Sequence, residues 1–448
     1  MSSAQATAPP PGRPQAASAG NPARATQQQV ARTGPQNTPA GRAGGQQRTK
    51  TRTTPQLLRM WMVISVCSAL LFGLVTMLTM INTSDAQTRA AENTAQMIRV
   101  QEIQAKLLRA DALATNAFLV GGLEPPEHRA EYDAALDDTS RLIVEASQAQ
   151  PADREALIAL NQIVNDYAGA MEQARANNRQ GFPAGSAYLE QASNDLRAGA
   201  MPVLDSLVDA NQTRATNEMD SLTAPWLVVV GAICIIVQIG CCVWCARRFR
   251  RVVNVPLLIS TAAMACTWVA GLSVVSSAGA TADQLQDDQY QVARHVAHAR
   301  IAGNEAKAQE SLGLISHGSP AVSERIWTEQ DGLVREALDT AGATALLDDW
   351  EAYTSEHRAI RTLDNVGQWD KAVERATGTG SSGANTSFAT FDENAAQLVS
   401  ESGAHTVDTL AGNALPPLVL AWVFTAASVA AAILAGVGIR TRQREYQP

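Results

Sequence analysis

The side chains most able to do chemistry are six histidines, and their spacing is not that of a metal site. Five of them lie between residues 295 and 405. His295 and His298 follow one apolar stretch by about 17 and 20 residues, whereas His405 precedes the next by about 10, so their heights differ by roughly 10 Å or more at about 1.5 Å per helical residue. No metal or cofactor site is therefore expected.

Two arginines offer the chemistry of ligand recognition. Arg99 and Arg109 lie on one predicted helix, and a guanidinium can hold a carboxylate through two parallel hydrogen bonds. The alternative, that both are solvated surface arginines, is left open by the sequence. His357 lies on an apolar helical stripe between Leu346 and Ile360, which favours a hydrogen-bonded core histidine over a pH sensor.

Motifs of catalysis do not occur. The sequence has no Gly-rich phosphate loop, no GxSxG and no HExxH, so no catalytic residues are assigned and the protein is not expected to be an enzyme. Nothing points to nucleic-acid binding. All six cysteines lie in or beside apolar stretches, and the run Cys241, Cys242 and Cys245 suits helix packing in lipid better than redox chemistry.

Four long stretches of the sequence contain no Asp, Glu, Lys or Arg. Each can form a helix of roughly 20 residues or more, enough to cross about 30 Å of hydrocarbon. The first is too long and begins too late for a cleaved signal peptide. The predicted spans are 57–83, 224–246, 254–278 and 415–439.

The charges flanking these spans predict their orientation. Basic residues are retained on the cytoplasmic side, and eight precede residue 60 without any acid. Arg247, Arg248, Arg250 and Arg251 occupy the loop 247–253, whereas the two long segments are acidic, with 21 acids against 11 bases and 21 against 9. The predicted location is the plasma membrane, with both termini cytoplasmic and both long segments outside.

The two long segments, 84–223 and 279–414, carry helical repeats of apolar residues. One stripe consists of Val100, Ile103, Leu107, Ala110, Ala114 and Ala117, and another of Leu157, Leu160, Val164, Tyr167, Met171 and Ala174. Breaks at turn residues predict four helices in each segment. Their limits are 84–121, 126–149, 152–177 and 186–222 in the first, and 279–316, 320–341, 343–367 and 385–412 in the second.

The same order of elements recurs at an offset near 195 residues, which predicts a duplicated unit of span, four-helix bundle and span. The fold class is thus an all-α membrane protein with four transmembrane helices and two tandem extracytoplasmic four-helix bundles. Residues 1–56 form a disordered basic tail and 440–448 a second cytoplasmic tail. Pro225, and Pro416 with Pro417, are expected to interrupt the helices between bundle and span.

Each half resembles the sensor modules of chemoreceptors and sensor histidine kinases, the segment Asn116, Ala117, Phe118 and Leu119 being the nearest local likeness. By its layout the whole chain resembles the actinobacterial GlnX membrane proteins. That resemblance implies an external amino-acid-binding lipoprotein, GlnH, and a cytoplasmic serine/threonine kinase, PknG, as partners.

The leading hypothesis is a non-enzymatic relay that passes an external signal, amino-acid availability, through a solute-binding lipoprotein to the kinase. Partner contacts are expected at the tips of the bundles. The residues concerned are Gly121, Gly122, Pro125, Asn178, Phe182, His317 and Pro320. A structural scaffold of an envelope complex is the alternative. A transporter is disfavoured by uncharged spans with few polar residues such as Gln238. Ala432 and Gly436 form a small-residue face that packs within the chain or in a homodimer.

Overall fold

A computed structural model describes residues 54–120, 126–180, 184–249, 254–316, 320–378 and 383–444, and they contain helices without any strand. The helices are α1 Thr54–Val120, α2 Pro126–Ala149, α3 Arg154–Arg179, α4 Ala184–Asp220, α5 Pro225–Phe249, α6 Val255–Asp287, α7 Gln289–Ile315, α8 Ala321–Thr340, α9 Thr344–Asn365, α10 Trp369–Thr377 and α11 Ala384–Arg444. A 3₁₀ turn at Pro151–Asp153 precedes α3.

Four helical stretches are long and apolar enough to cross a membrane, one each in α1, α4–α5, α6–α7 and α11. The predicted all-α protein with four membrane spans is confirmed. Many large apolar side chains of these stretches face outward, among them Ile236 and Trp422, as contact with lipid tails requires. We call residues 57–83, 224–246, 254–278 and 415–439 the span region. The other described residues of the helices form the bundle region.

A chain of hydrogen bonds joins all four spans. Ser65 of α1 donates to the side-chain oxygen of Gln238 on α5, and the Gln238 amide nitrogen lies 3.4 Å from the hydroxyl of Ser260 on α6. Ser260 in turn donates to the carbonyl of Ala431 on α11, at 2.8 Å. Because a polar group without a partner costs several kcal/mol in hydrocarbon, these bonds fix the spans against one another.

Helices α1 and α11 pack antiparallel along both regions, mostly through small residues. A Cβ at Gly436 would lie 3.7 Å from Val66, and one at Gly73 would lie only 2.6 Å from the Cβ of Ser428. The small-residue face of Ala432 and Gly436 therefore packs within the chain against α1. Association with a second copy of the chain stays a prediction.

Two large hydrophobic cores and a smaller third cluster fill the bundle region, and each large core includes a residue from the other half of the chain. The first joins α1 to α4, with both predicted apolar stripes buried in or against it, and it includes Tyr290 of α7. The second joins α7 to α11 and includes Leu119 of α1. The two helical groups, α1–α4 and α7–α11, are therefore interlocked. Their origin as a duplicated unit stays a prediction.

Of three predictions about helix continuity, two are wrong and one is confirmed. The helix α11 runs through Pro416 and Pro417 without a break, because its packing against α1 and α6 supports the backbone that loses two N–H donors. The helix predicted at 279–316 joins α6 and α7, which are interrupted at Asp288 (φ −118°, ψ −99°). The predicted break before Pro225 is present, where α4 ends at Asp220.

A short helix, α10, occupies a segment predicted as a connection. It follows Gly367, whose φ of +77° turns the chain, and it buries Ala372, Val373 and Ala376 in the second core. Trp369 anchors its start by donating to the carbonyl of Leu314 at 3.0 Å. The predicted tail at 1–56 lies outside the described residues up to position 53, as do residues 445–448 of the second tail.

The close approach of α1 and α11 yields the first prediction. Gly73→Ala should destabilise the protein by roughly 1–3 kcal/mol, because the new methyl group overlaps Ser428 and forces the helices apart. Gly240→Ala is the matched control in another span, since a Cβ there meets nothing within 4 Å, and it should be neutral or gain up to about 1 kcal/mol from helix propensity. Thermal unfolding in detergent measures both, and equal stability of the two variants would contradict the packing.

Candidate functional site

Helix α7 carries four polar or charged side chains into the interior of the bundle region. Arg300, Asn304, Lys307 and Glu310 recur at steps of three or four and are each at most 4% exposed. The helix packs mainly against α1, α8 and α11, and its buried side chains also reach residues of α9 and α10. Burying such groups is tolerated only where each finds a partner.

Arg300 finds its partners on the two long helices. It pairs with Glu102 of α1 and, at 2.9 Å, with Asp392 of α11, which also accepts a bond from Asn304 at 2.8 Å. Burial alone would raise the pKa of Asp392, but the charges of Arg300 and Arg109 outweigh it and lower that pKa. The carboxylate is therefore kept ionised, and α1, α7 and α11 are joined at one level.

A second ion-pair network joins α1, α4 and α7. Asp111 of α1 is fully buried and accepts hydrogen bonds from Tyr167 at 3.0 Å and from Ser193 at 2.5 Å. Arg197 of α4 pairs with Asp111 and with Glu305 of α7, both at 2.8 Å. The two helical groups are thus connected by charge as well as by their cores.

Between α1, α2, α7 and α11 lies a cavity of about 640 Å³, which we call the inter-bundle cavity. Its walls carry charges of both signs, and most are already paired. Lys106 lies 3.1 Å from Asp138, Arg300 holds Glu102 and Asp392, and Lys307 lies 2.6 Å from Glu310. These pairs leave a small number of groups with unused hydrogen-bonding capacity.

The groups left over are Arg109, His128, Glu131 and Glu393. Arg109 is half-buried, with its guanidinium 5.5 Å from the ring centre of Phe388, and it has no hydrogen bond or ion pair among the described residues. Glu131 of α2 and Glu393 of α11 are exposed on opposite walls, likewise without such a partner in the described part of the chain. Cationic and anionic binding capacity thus coexist in one cavity.

The tip of α1 closes one side of this cavity. Asn116 and Asn385 exchange side-chain hydrogen bonds at 3.3 and 3.0 Å, joining α1 to α11, and Leu119 enters the second core. The segment 116–119, singled out by its likeness to sensor modules, therefore makes contacts between the two helical groups. Its wider role could not be foreseen because its partners are about 269 residues away along the chain.

Residues 86–220 match the actinobacterial sensor domain family. No curated protein and no solved structure matches the chain. The matched segment runs from the bundle portion of α1 to the end of α4, and it supplies Glu102, Arg109 and Glu131 to the inter-bundle cavity. The match supports a sensor protein of the actinobacterial type, with a non-catalytic role.

Only one of the two arginines considered for ligand binding lines the inter-bundle cavity. Arg109 lines the cavity, whereas Arg99 donates to the side-chain oxygen of Gln96 at 2.6 Å and does not line it. The two arginines therefore do not form one carboxylate-binding pair in this cavity. The α1 residues that line the cavity run from Glu102 to Asn116, and Arg99 lies three positions before the first of them.

The predicted partner contacts are placed only in part. Asn178 lies at the end of α3 against Gly185, and Pro320 caps the start of α8. Arg247 and Arg248 lie in the last turn of α5. Gly121, Gly122, Pro125, Phe182, His317, Arg250 and Arg251 lie outside the described residues. All these contacts stay predictions.

The predicted hydrogen-bonded core histidine is confirmed at His357. The ring stacks on Trp327 with centroids 3.7 Å apart, and its Nδ1 lies 2.9 Å from Glu310 of α7. Its Nε2 lies 3.4 Å from Glu324 of α8, which also pairs with Arg361 of α9. Burial alone would lower the pKa of His357, but its bonds to Glu310 and Glu324 outweigh it and raise that pKa.

The buried arginine of α7 gives a stability prediction. Arg300→Met should destabilise the protein by about 3–5 kcal/mol, because the buried carboxylate of Asp392 would lose its ion-pair partner. Arg358→Met removes an arginine that pairs with Glu351 at the surface and should cost little. Chemical denaturation of both variants in detergent measures the difference, and a similar cost for both would show that the α7 pairs are not needed for stability.

The raised pKa of His357 gives a pH prediction. Protonated His357 stabilises the fold below its ordinary value of 6.5, and this contribution is lost as the pH rises through the higher folded-state value. Burial alone would raise the pKa of Glu310, but Lys307 and His357 outweigh it and lower that pKa to about 2. The stability that ionised Glu310 contributes is therefore lost only as the pH falls from 4.5 to about 2. The melting temperature should therefore fall as the pH rises above about 6.5. His357→Gln should flatten this slope, and His405→Gln, at an exposed position, should keep it.

Proposed function

We propose that this protein is a non-enzymatic transmembrane sensor that relays an external signal along the antiparallel pair of α1 and α11. The observation that supports the relay is the continuity of these helices. Each extends without a break from the wall of the inter-bundle cavity into its span, 67 and 61 residues in length. A displacement at the cavity therefore reaches the span region without passing through an irregular segment.

The other two connections differ. The chain is interrupted between Asp220 and Pro225 before the second span, and at Asp288 after the third. Such breaks absorb a change in helix position locally. The contrast favours α1 and α11 as the elements that carry the signal by shifting relative to each other, with α5 and α6 as the reference spans.

We further propose that the bundle region faces outward and senses amino-acid availability, delivered by a solute-binding lipoprotein. The acidic segments and the basic flanks support this orientation, because basic residues next to spans are retained inside. The output passes from the Arg247–Arg251 loop and the basic leader to a soluble serine/threonine kinase. No enzymatic domain is needed in the chain for such a relay.

A disulfide across the α1–α11 pair tests the relay. Val66→Cys with Gly436→Cys joins positions whose side chains would lie in contact, in a background where the native cysteines are replaced by serine or alanine. Oxidation should abolish the change in threonine phosphorylation of cytoplasmic proteins when cells move to amino-acid-free medium, and reduction should restore it. The response requires relative motion of the two helices, which the cross-link prevents.

The matched control locks α5 to α6. Cys242 and Thr261 lie 3.5 Å apart between sulfur and oxygen, so Thr261→Cys with Cys242 retained forms a cross-link of the same kind between the reference spans. This variant should respond normally when oxidised. A normal response in the α1–α11 lock would overturn the relay, and a phosphorylation pattern indifferent to deletion of the whole protein would favour the scaffold instead.

A further inference from the structure

We propose that the inter-bundle cavity binds a small zwitterion directly, with a carboxylate and an ammonium group, as in a free amino acid. The effect of binding on signalling rests on the proposed function. The binding itself rests on the residues that line the cavity. The cavity volume of about 640 Å³ lies within the range of about 300–1,000 Å³ that is usual for small-molecule sites.

Arg109 provides the site for the carboxylate. Its guanidinium rests over Phe388, which fixes one face, while its N–H groups have no acceptor among the described residues. Asp392 is a buried carboxylate in the same wall, but it is already bound by Arg300 and Asn304. A ligand carboxylate would give Arg109 the charge-assisted, bidentate pairing that the chain does not supply.

The other end of the ligand would meet negative charge. Glu131 and Glu393 are exposed on the two sides of the cavity and have no cation paired with them among the described residues. They disfavour a phosphate or a dicarboxylate by repulsion, whereas the cations at Arg109, Lys106 and Lys307 disfavour a polyamine. The arrangement suits one negative and one positive pole on the same small molecule.

The cavity wall between these charged groups is apolar and leaves room for the side chain of the bound amino acid. Ala112 and Leu113 of α1, Ala134 of α2 and Ala389 of α11 line it together. A bound zwitterion would contact α1 through Arg109 and α11 through Glu393, and so would change the preferred distance between the two helices that reach the membrane. Direct binding would then complement delivery by a lipoprotein.

Binding to the purified full-length protein in detergent tests the site. Each standard L-amino acid is titrated by calorimetry, and every binder is compared with its own decarboxylated amine and deaminated acid. At least one amino acid should bind, and both one-pole analogues should bind at least about 10-fold more weakly, since each lacks one charge-assisted contact. If no amino acid binds, or if a one-pole analogue binds equally well, the proposal is wrong.

Variants locate the site. Arg109→Met should weaken binding of the amino acid at least about 10-fold, and Arg109→Lys, which keeps the charge but loses the bidentate geometry, should fall in between. Arg99→Met changes an arginine on the same helix outside the cavity and should bind normally. Glu131→Gln with Glu393→Gln should weaken the amino acid but not its deaminated acid. Unchanged binding in Arg109→Met or Arg109→Lys would place the site elsewhere.

The two proposals fail separately. Loss of the phosphorylation response in the α1–α11 lock, with no amino acid binding to the purified protein, would retain the relay and reject the direct site. Binding that depends on Arg109, with a normal response in the lock, would retain the site and reject the relay.

Discussion

The structure depends on the need of α7 to find partners for the charges that it buries. Arg300, Lys307 and Glu310 are each desolvated, and an isolated charge in such a position would be very costly. Lys307 and Glu310 pair with each other and with His357 of α9, whereas Arg300 draws one of its two carboxylates from α11 and the other from α1. Arg300 therefore joins the two helical groups, and the cavity between them opens to solvent where Glu131 and Glu393 are exposed.

This constraint also accounts for which charges remain available. The Arg300, Asp392 and Glu102 group fixes the wall of the cavity, and the neighbouring Arg109 is then left with a ring contact but no carboxylate. A rigid wall with one unsatisfied cation is a preorganised arrangement, because the side chains around it need not rearrange when a ligand arrives. The same helices then extend into the membrane, which is why recognition and transmission can share α1 and α11.

The local and periodic parts of this fold were predictable from the sequence. The stripe from Val100 to Ala117 is buried as its spacing predicted, and the uncharged stretches are the spans. The failures have physical causes. Proline at 416 and 417 weakens an isolated helix, but packing against α1 overrides that tendency. Arg300 and Glu102 are 198 residues apart, so no local pattern could pair them. Arg109 could be suspected from its type alone, whereas its cavity required the packing of four helices.

The hydrogen-bond chain in the span region is asymmetric in a way that bears on motion. Ser65, Gln238 and Ser260 are bound side chain to side chain, so each of those contacts exists at a single position. The bond to α11 instead ends on a main-chain oxygen, that of Ala431. Such oxygens recur on one face of a helix at every turn, about 5.4 Å apart. A step of α11 by one turn would exchange one acceptor for an equivalent one, so this bond holds the fourth span in the group without by itself fixing its height.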